Sequence, residues 1–261
     1  MLMSVRGAIA ASLLAGTALA ATPAFADDAD APGPITVSGN VALVTDYRFR
    51  GVSLSGGDPA IQGGITVTHE SGLYVGTWSS SIKGGATFGE QELDLFGGWS
   101  GELVSGLTLD AGILLYDYPG NDKHDLNGAK IYGNYWEPYA SLSGTVGPAS
   151  LKVGMTYAWK QKSLPNFAGN KKGDNLYIYS NVDIAIPNTP VTVSGHLGYT
   201  DGVLAPCYYC TSDRTGIDYS IGASAAVYGP LSVGVSYVGV SGPSVNGSTD
   251  DAVVGTLTAS F

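Results

Sequence analysis

Apolar and polar residues alternate along most of this chain. Leu151, Val153, Met155, Tyr157 and Trp159 occupy every second position, with Lys152, Gly154, Thr156, Ala158 and Lys160 between them. A period of two sets an apolar face against a polar one, as in a half-buried β-strand, whereas a helix would repeat every 3.6 residues. The same alternation runs through Leu107, Leu109, Ala111, Ile113 and Leu115, through Val191 to Tyr199, Ile217 to Val227 and Leu231 to Tyr237. Its breaks predict twelve strands, near 35–49, 59–69, 73–82, 90–103, 107–117, 135–146, 150–160, 174–186, 191–200, 217–228, 231–240 and 250–261.

The connections alternate too. Short ones at Glu70-Ser71-Gly72, Val104-Ser105-Gly106, Gly147-Pro148-Ala149, Pro187-Asn188-Thr189-Pro190 and Gly229-Pro230 are rich in residues that preset turn dihedrals, and longer ones such as 118–134, 161–173 and 201–216 fall between them. Five short turns on one side and six longer loops on the other are the asymmetry of an outer-membrane barrel. The aromatic residues sharpen this reading. Tyr47, Phe49, Tyr116, Trp136, Tyr139, Tyr157, Trp159, Tyr177, Tyr179, Tyr199, Tyr219 and Tyr237 fall near loop ends, and Tyr74, Trp99, Tyr228 and Phe261 near turn ends. Two aromatic belts around an aliphatic band suit a bilayer, and a water-soluble sandwich has no reason to sort them. The expected fold class is all-β, a transmembrane antiparallel up-and-down β-barrel of about twelve strands over residues 35–261.

The N-terminus reads differently. Arg6, the apolar run Ala8–Ala20 and the small-x-small site Ala24-Phe25-Ala26 predict a cleaved signal peptide over 1–26, followed by a short periplasmic segment at 27–34. Cleavage would remove one basic residue and no acidic one, taking the formal charge from -10 to -11. Composition narrows the function. Only 13% of residues are charged, and no basic stripe is present to meet nucleic-acid phosphates. After residue 26 no apolar run nears the roughly 20 residues of a spanning helix. Nothing implies a metal or other cofactor.

One stretch carries a resemblance. Tyr47-Arg48-Phe49-Arg50-Gly51-Val52-Ser53, with Asp58-Pro59-Ala60-Ile61-Gln62-Gly63-Gly64 after it, resembles the TorF family of porin-like barrels. The likeness continues looser through His69–Trp78, Glu92–Trp99 and Trp136-Glu137-Pro138-Tyr139. It implies an outer-membrane barrel of a Gram-negative bacterium, and carries over no functional residues. A final strand with Gly255, Leu257, Ala259 and Phe261 on one parity looks like the signal read by the barrel-assembly machinery, though Ala259 stands where an aromatic is common.

The expected activity is a porin-like channel for passive diffusion of small solutes, in contact with outer-membrane lipids. A structural barrel with a plugged lumen is the alternative, and an outer-membrane hydrolase a third. Catalysis would need a histidine beside a nucleophile; His69, His124 and His196 stand in no nucleophile motif, and solvated or lumen-lining histidine is the plainer reading of each. Inward parity selects Asp46, Glu90, Glu92, Asp94, Asp110, Glu137, Asp183 and Asp218 against Arg48, Arg50, Lys152 and Lys160, with His196 among the lining residues. Acidic excess on a narrow wall predicts cation preference; charges that pair and rigidify the lumen are the competing reading. Cys207 and Cys210 are expected to form a disulfide across an outer loop, the redox and metal readings of the pair finding no supporting pattern.

Overall fold

The computed structural model describes residues 33–120, 128, 130, 132–166, 171–206, 215–242 and 244–261. The predicted signal peptide, His124 and the Cys207–Cys210 pair lie outside them.

In chain order the elements are β1 (Ile35–Val44), β2 (Arg48–Phe49), β3 (Val52–Ser53), β4 (Ala60–His69), β5 (Leu73–Ser81), α1 (Gly85–Phe88), β6 (Gln91–Val104) and β7 (Leu107–Asp117). There follow β8 (Tyr135–Val146), β9 (Ala149–Ala158), β10 (Pro165–Asn166), β11 (Lys171–Lys172), β12 (Asn175–Ala185), β13 (Val191–Gly202), β14 (Thr215–Tyr228), β15 (Leu231–Val240) and β16 (Ala252–Ser260). Twelve of these strands close into one antiparallel barrel, each paired with its neighbour in the chain, and β16 returns to β1. The pairs β2–β3 and β10–β11 are small hairpins within the longer connections.

Alternation explains the two faces. Val37, Val41 and Leu43 of β1, Leu151, Val153 and Met155 of β9 and Val233 and Val235 of β15 point away from the axis and remain exposed, as do their counterparts all round the barrel. A continuous apolar band of this extent is far larger than a water-soluble surface carries. Hydrocarbon suits it, and ring closure then satisfies the strand ladders that hydrocarbon could not. Trp136, Tyr157, Trp159, Tyr199 and Tyr237 form the outward aromatic belt at the loop ends, and Trp99, Tyr228 and Phe261 the one at the turn ends. Tyr219, on the outward parity of Ile217 and Ile221, lies beside Tyr237 in that belt, but several of the other loop-end aromatics are a different population. Tyr47, Tyr116, Tyr139 and Tyr177 are buried inside the barrel, as is Tyr74 from the turn-end set, so one count of rings mixes a girdle with a core.

The first strand departs from expectation. Alternation predicts one strand over 35–49, but β1 ends at Val44 and the chain then folds into the lumen. Thr45 marks the exit: its backbone amide donates to the Gly255 carbonyl at 2.9 Å, and its hydroxyl accepts from the Gly255 amide at 2.9 Å. Asp46 then organises a tight insert, accepting from the Ser53 and Ser55 hydroxyls at 2.6 and 2.9 Å. At its tip Arg50 and Gly51 have φ of +50° and +79°, the signs of a type I′ hairpin turn. Glycine takes that conformation freely. An arginine there costs on the order of 1 kcal/mol, and its side-chain contacts hold it.

Candidate functional site within the barrel lumen

The insert between β1 and β4 fills the half of the lumen nearer the long connections. Arg50, 3% exposed, crosses to the opposite wall, where Nη2 donates to Glu137 Oε2 at 2.6 Å and to Thr156 Oγ1 at 3.1 Å. Its guanidinium lies 4.3 Å from the ring centre of Tyr177 and 4.7 Å from that of Phe49. Arg48 stays near the root of the insert, donating to Asp46 Oδ2 at 2.5 Å and to the Asp250 carbonyl at 2.6 Å. These are buried, geometrically well-made pairs. Removing one member of such a pair leaves a bare charge and costs roughly 3–5 kcal/mol.

Tyrosine hydroxyls tie the barrel carboxylates together. Glu92 accepts from Tyr47 at 3.0 Å and from Tyr118 at 3.5 Å, Glu137 from Tyr116 at 3.1 Å, and Asp110 from Tyr74 at 2.5 Å. Burial pushes the Tyr47 phenol, which lies in the insert outside the spanning strands, well above its ordinary range, and the nearby Glu92 and Asp94 carboxylates push it further. Glycines make room for the flat-lying rings. A Cβ at Gly198 would overlap the Tyr177 hydroxyl and Asp218 Oδ2, and one at Gly112 the Tyr139 hydroxyl.

The lumen half nearer the short turns is built otherwise. From β13 to β16 its inward positions are small and polar, among them Ser194, Ser224, Ser232, Thr256 and Thr258, and only partly covered, whereas on β5 and β7 the buried Tyr74 and Asp110 fill it. Asp183 sits on this side of β12, on the parity of Tyr177 and Tyr179, and is exposed.

The parity-selected residues therefore divide. Asp46, Arg48, Arg50, Glu92, Asp94, Asp110, Glu137 and Asp218 are all buried in the interior. Lys152 is half-buried with Asp110 nearby. His196 is engaged at both ring nitrogens: Nδ1 lies 2.6 Å from Asn181 Oδ1, and Nε2 lies 2.8 Å from Asp218 Oδ1 and 2.9 Å from the Tyr177 hydroxyl. Lys160 lies two residues past the end of β9, beyond the pairing with β12, and Glu90 one residue before β6, where its carbonyl still accepts from the Ile82 amide at 2.9 Å; both are exposed at the loop ends. His69 is exposed at a turn, bonded to the Ser71 hydroxyl. Sequence reasoning missed Tyr118, Tyr135 and Asn175 as interior groups, although Tyr135 and Glu137 share one parity of β8.

A family described as "Bacterial protein of unknown function (Gcw_chp)" matches residues 28–261. The chain belongs to that family. No curated protein matches it. Among solved structures this Gcw_chp barrel is similar in fold to the NanC porin, with a TM-score of 0.55 at 11% identity over 87% of this chain and 99% of that one. The KdgM porin gives 0.54 at 12% identity, covering 86% of this chain and 98% of that chain. The COG4313 outer membrane channel from Pseudomonas putida F1 gives 0.51 at 12% identity, covering 90% and 99%. The Gcw_chp chain thus has the closed-barrel fold of these outer-membrane proteins.

Proposed function

We propose that this Gcw_chp protein is a porin-like channel of the Gram-negative outer membrane, passing small solutes by diffusion, with the β1–β4 insert as its constriction. The observation that carries this is a closed barrel whose outer face is an apolar band and whose interior holds most of the buried ionisable side chains, set among inward apolar residues such as Leu114 and Val254. Ionisable side chains inside a barrel need water or partners, and a lumen that serves no passage has no use for so many. The fold shared with the NanC and KdgM porins supports the reading, as does the TorF-like stretch, which is the insert itself. Passage is favoured over catalysis because the ring nitrogens of His196 are already taken by Asn181, Asp218 and Tyr177. Export by a cleaved signal peptide and insertion through Phe261 by the assembly machinery belong to the same reading.

A second reading, a sealed structural barrel, has an observation of its own: Arg50, Glu92, Asp94, Glu137 and Asp218 are each at most 3% exposed, so the insert occupies the layer it crosses. Single-channel recording in planar bilayers separates the two. The ends of the insert meet, Leu54 N donating to Tyr47 O at 2.8 Å, so residues 48–53 can be replaced by two glycines without stretching the chain. A channel gives discrete steps in the native protein and larger ones in the shortened variant. Silence from both would leave the sealed barrel standing.

A further inference from the structure

Most buried acids of the filled layer have an identified counterpart: Asp46 meets Arg48, Glu137 meets Arg50, and Asp218 meets His196. Glu92 and Asp94 do not. They lie two residues apart on the inward face of β6, at 1% and 0% exposure, and so roughly 7 Å apart along the strand. Among the described residues Glu92 is bonded only to the phenols of Tyr47 and Tyr118. Asp94, among the described residues, has no hydrogen-bond partner at either oxygen, and Glu137 Oε1 has none either. Register sets Asp94 between Trp78 of β5 and Tyr116 of β7, and Tyr116 stacks on Tyr135 at 4.5 Å. Of the buried guanidiniums among the described residues, Arg50 is held by Glu137 and Thr156, and Arg48 by Asp46 and the Asp250 carbonyl.

An ionised carboxylate buried without a partner does not persist; a positive charge or a proton has to join it. Carboxylate and phenol oxygens are hard donors, suited to alkali and alkaline-earth ions and not to thiophilic metals. A divalent ion would want six or more oxygens and keeps its water tightly, so a site of two carboxylates and two phenols suits a singly charged ion better. We propose that Asp94 and Glu92 hold an alkali-metal cation inside the barrel, with the phenol oxygens around Glu92 as neutral neighbours. This deepens the channel reading by naming cations as the solutes the lumen favours, and rests on it for that role alone.

The test reads binding without requiring conduction. The full chain, refolded in detergent, is melted in sodium or potassium chloride and in choline chloride at equal ionic strength, since choline is too large for the layer. A ligand that binds only the folded state raises the melting point with its concentration. The native midpoint should rise with sodium or potassium over choline. Asp94→Asn, which keeps the side-chain shape, should weaken this dependence about tenfold, while Glu70→Gln, an exposed turn carboxylate, should leave it intact. A native midpoint that is the same in all three salts overturns the proposal, as does an Asp94→Asn protein with full dependence. If a shared proton neutralises the pair instead, the midpoint follows pH and ignores the cation, which also overturns it. A barrel that conducts nothing yet shows the sodium dependence retires the channel reading and supports this one; a conducting barrel without the dependence does the reverse.

Discussion

On the loop side of the lumen, tyrosines, carboxylates and two arginines from the insert interlock until almost no side chain is accessible, whereas on the turn side β13 to β16 present serine, threonine and glycine and stay partly open. Both regions are walled by identical backbone ladders, so the difference is made by side chains alone. The barrel needs no filled interior to keep its shape, because closure already satisfies the backbone. A packed half is therefore an addition to the fold, and substitutions should weigh very differently in the two halves.

The largest contrast should come from charge. Glu137→Ala strips the Arg50 guanidinium of its counter-charge and should destabilise the barrel by roughly 3–5 kcal/mol, read from urea unfolding in lipid vesicles. Asp183→Asn, at the open end, should stay within about 0.5 kcal/mol. Equal losses at both sites would erase the distinction between the halves.

Packing gives the next contrast. Gly198→Ala drives a methyl into Tyr177 and Asp218 and should cost about 1–3 kcal/mol, whereas Gly234→Ala would find only ordinary contacts, the nearest being Ser224 Cβ at 3.6 Å, and should be nearly neutral. Parallel urea titrations would show whether the turn side is as roomy as its geometry says.

The smallest effect concerns Tyr47 and alkaline pH. Its folded phenol titrates above the unfolded value of about 10, so the stability it lends is fully present below pH 10 and is lost as pH rises through the raised value. Tyr47→Phe should cost about 1.5 kcal/mol at neutral pH, through the lost bond to Glu92, and should flatten the decline above pH 10. An unchanged alkaline slope would place the sensitive phenol elsewhere in the layer.

The barrel strands were legible because alternation and turn residues are local signals. Ten-residue ladders such as β15, Leu231–Val240, begin and end where the pattern breaks. The insert was hidden for the same reason. Ala42, Val44, Asp46, Arg48 and Arg50 keep one parity through the bend at Thr45, so a strand pointing its side chains inward and a loop folded inward read alike. Asp46, Arg48 and Arg50 are interior, but they arrive there by a different route. Lys160 shows the converse error, since nothing in Trp159-Lys160-Gln161 announces that pairing stopped at Ala158. Tyr116 and Trp136 count equally as loop-end aromatics, and only pairing shows one facing the lumen and the other the lipid.

The seam between β1 and β16 differs in kind from the other eleven. Those join consecutive barrel strands and can form as hairpins or after short links, whereas Asn40 meets Ser260 and Val44 meets Thr256 across nearly the whole chain. Hairpins form readily because little chain entropy is surrendered in each. The final pairing gains nothing until every preceding strand stands in register, so the ring should assemble as a growing ribbon with two sticky edges and then snap shut. Gly39 marks where that happens: it exchanges backbone bonds of 2.8 and 2.9 Å with Phe261, whose ring occupies the space a Cβ would need. Any bulk at position 39 would therefore leave the strands intact and strike at the latch, turning a folding problem into one of kinetics: a ribbon that waits, exposed, for a closure that comes too slowly.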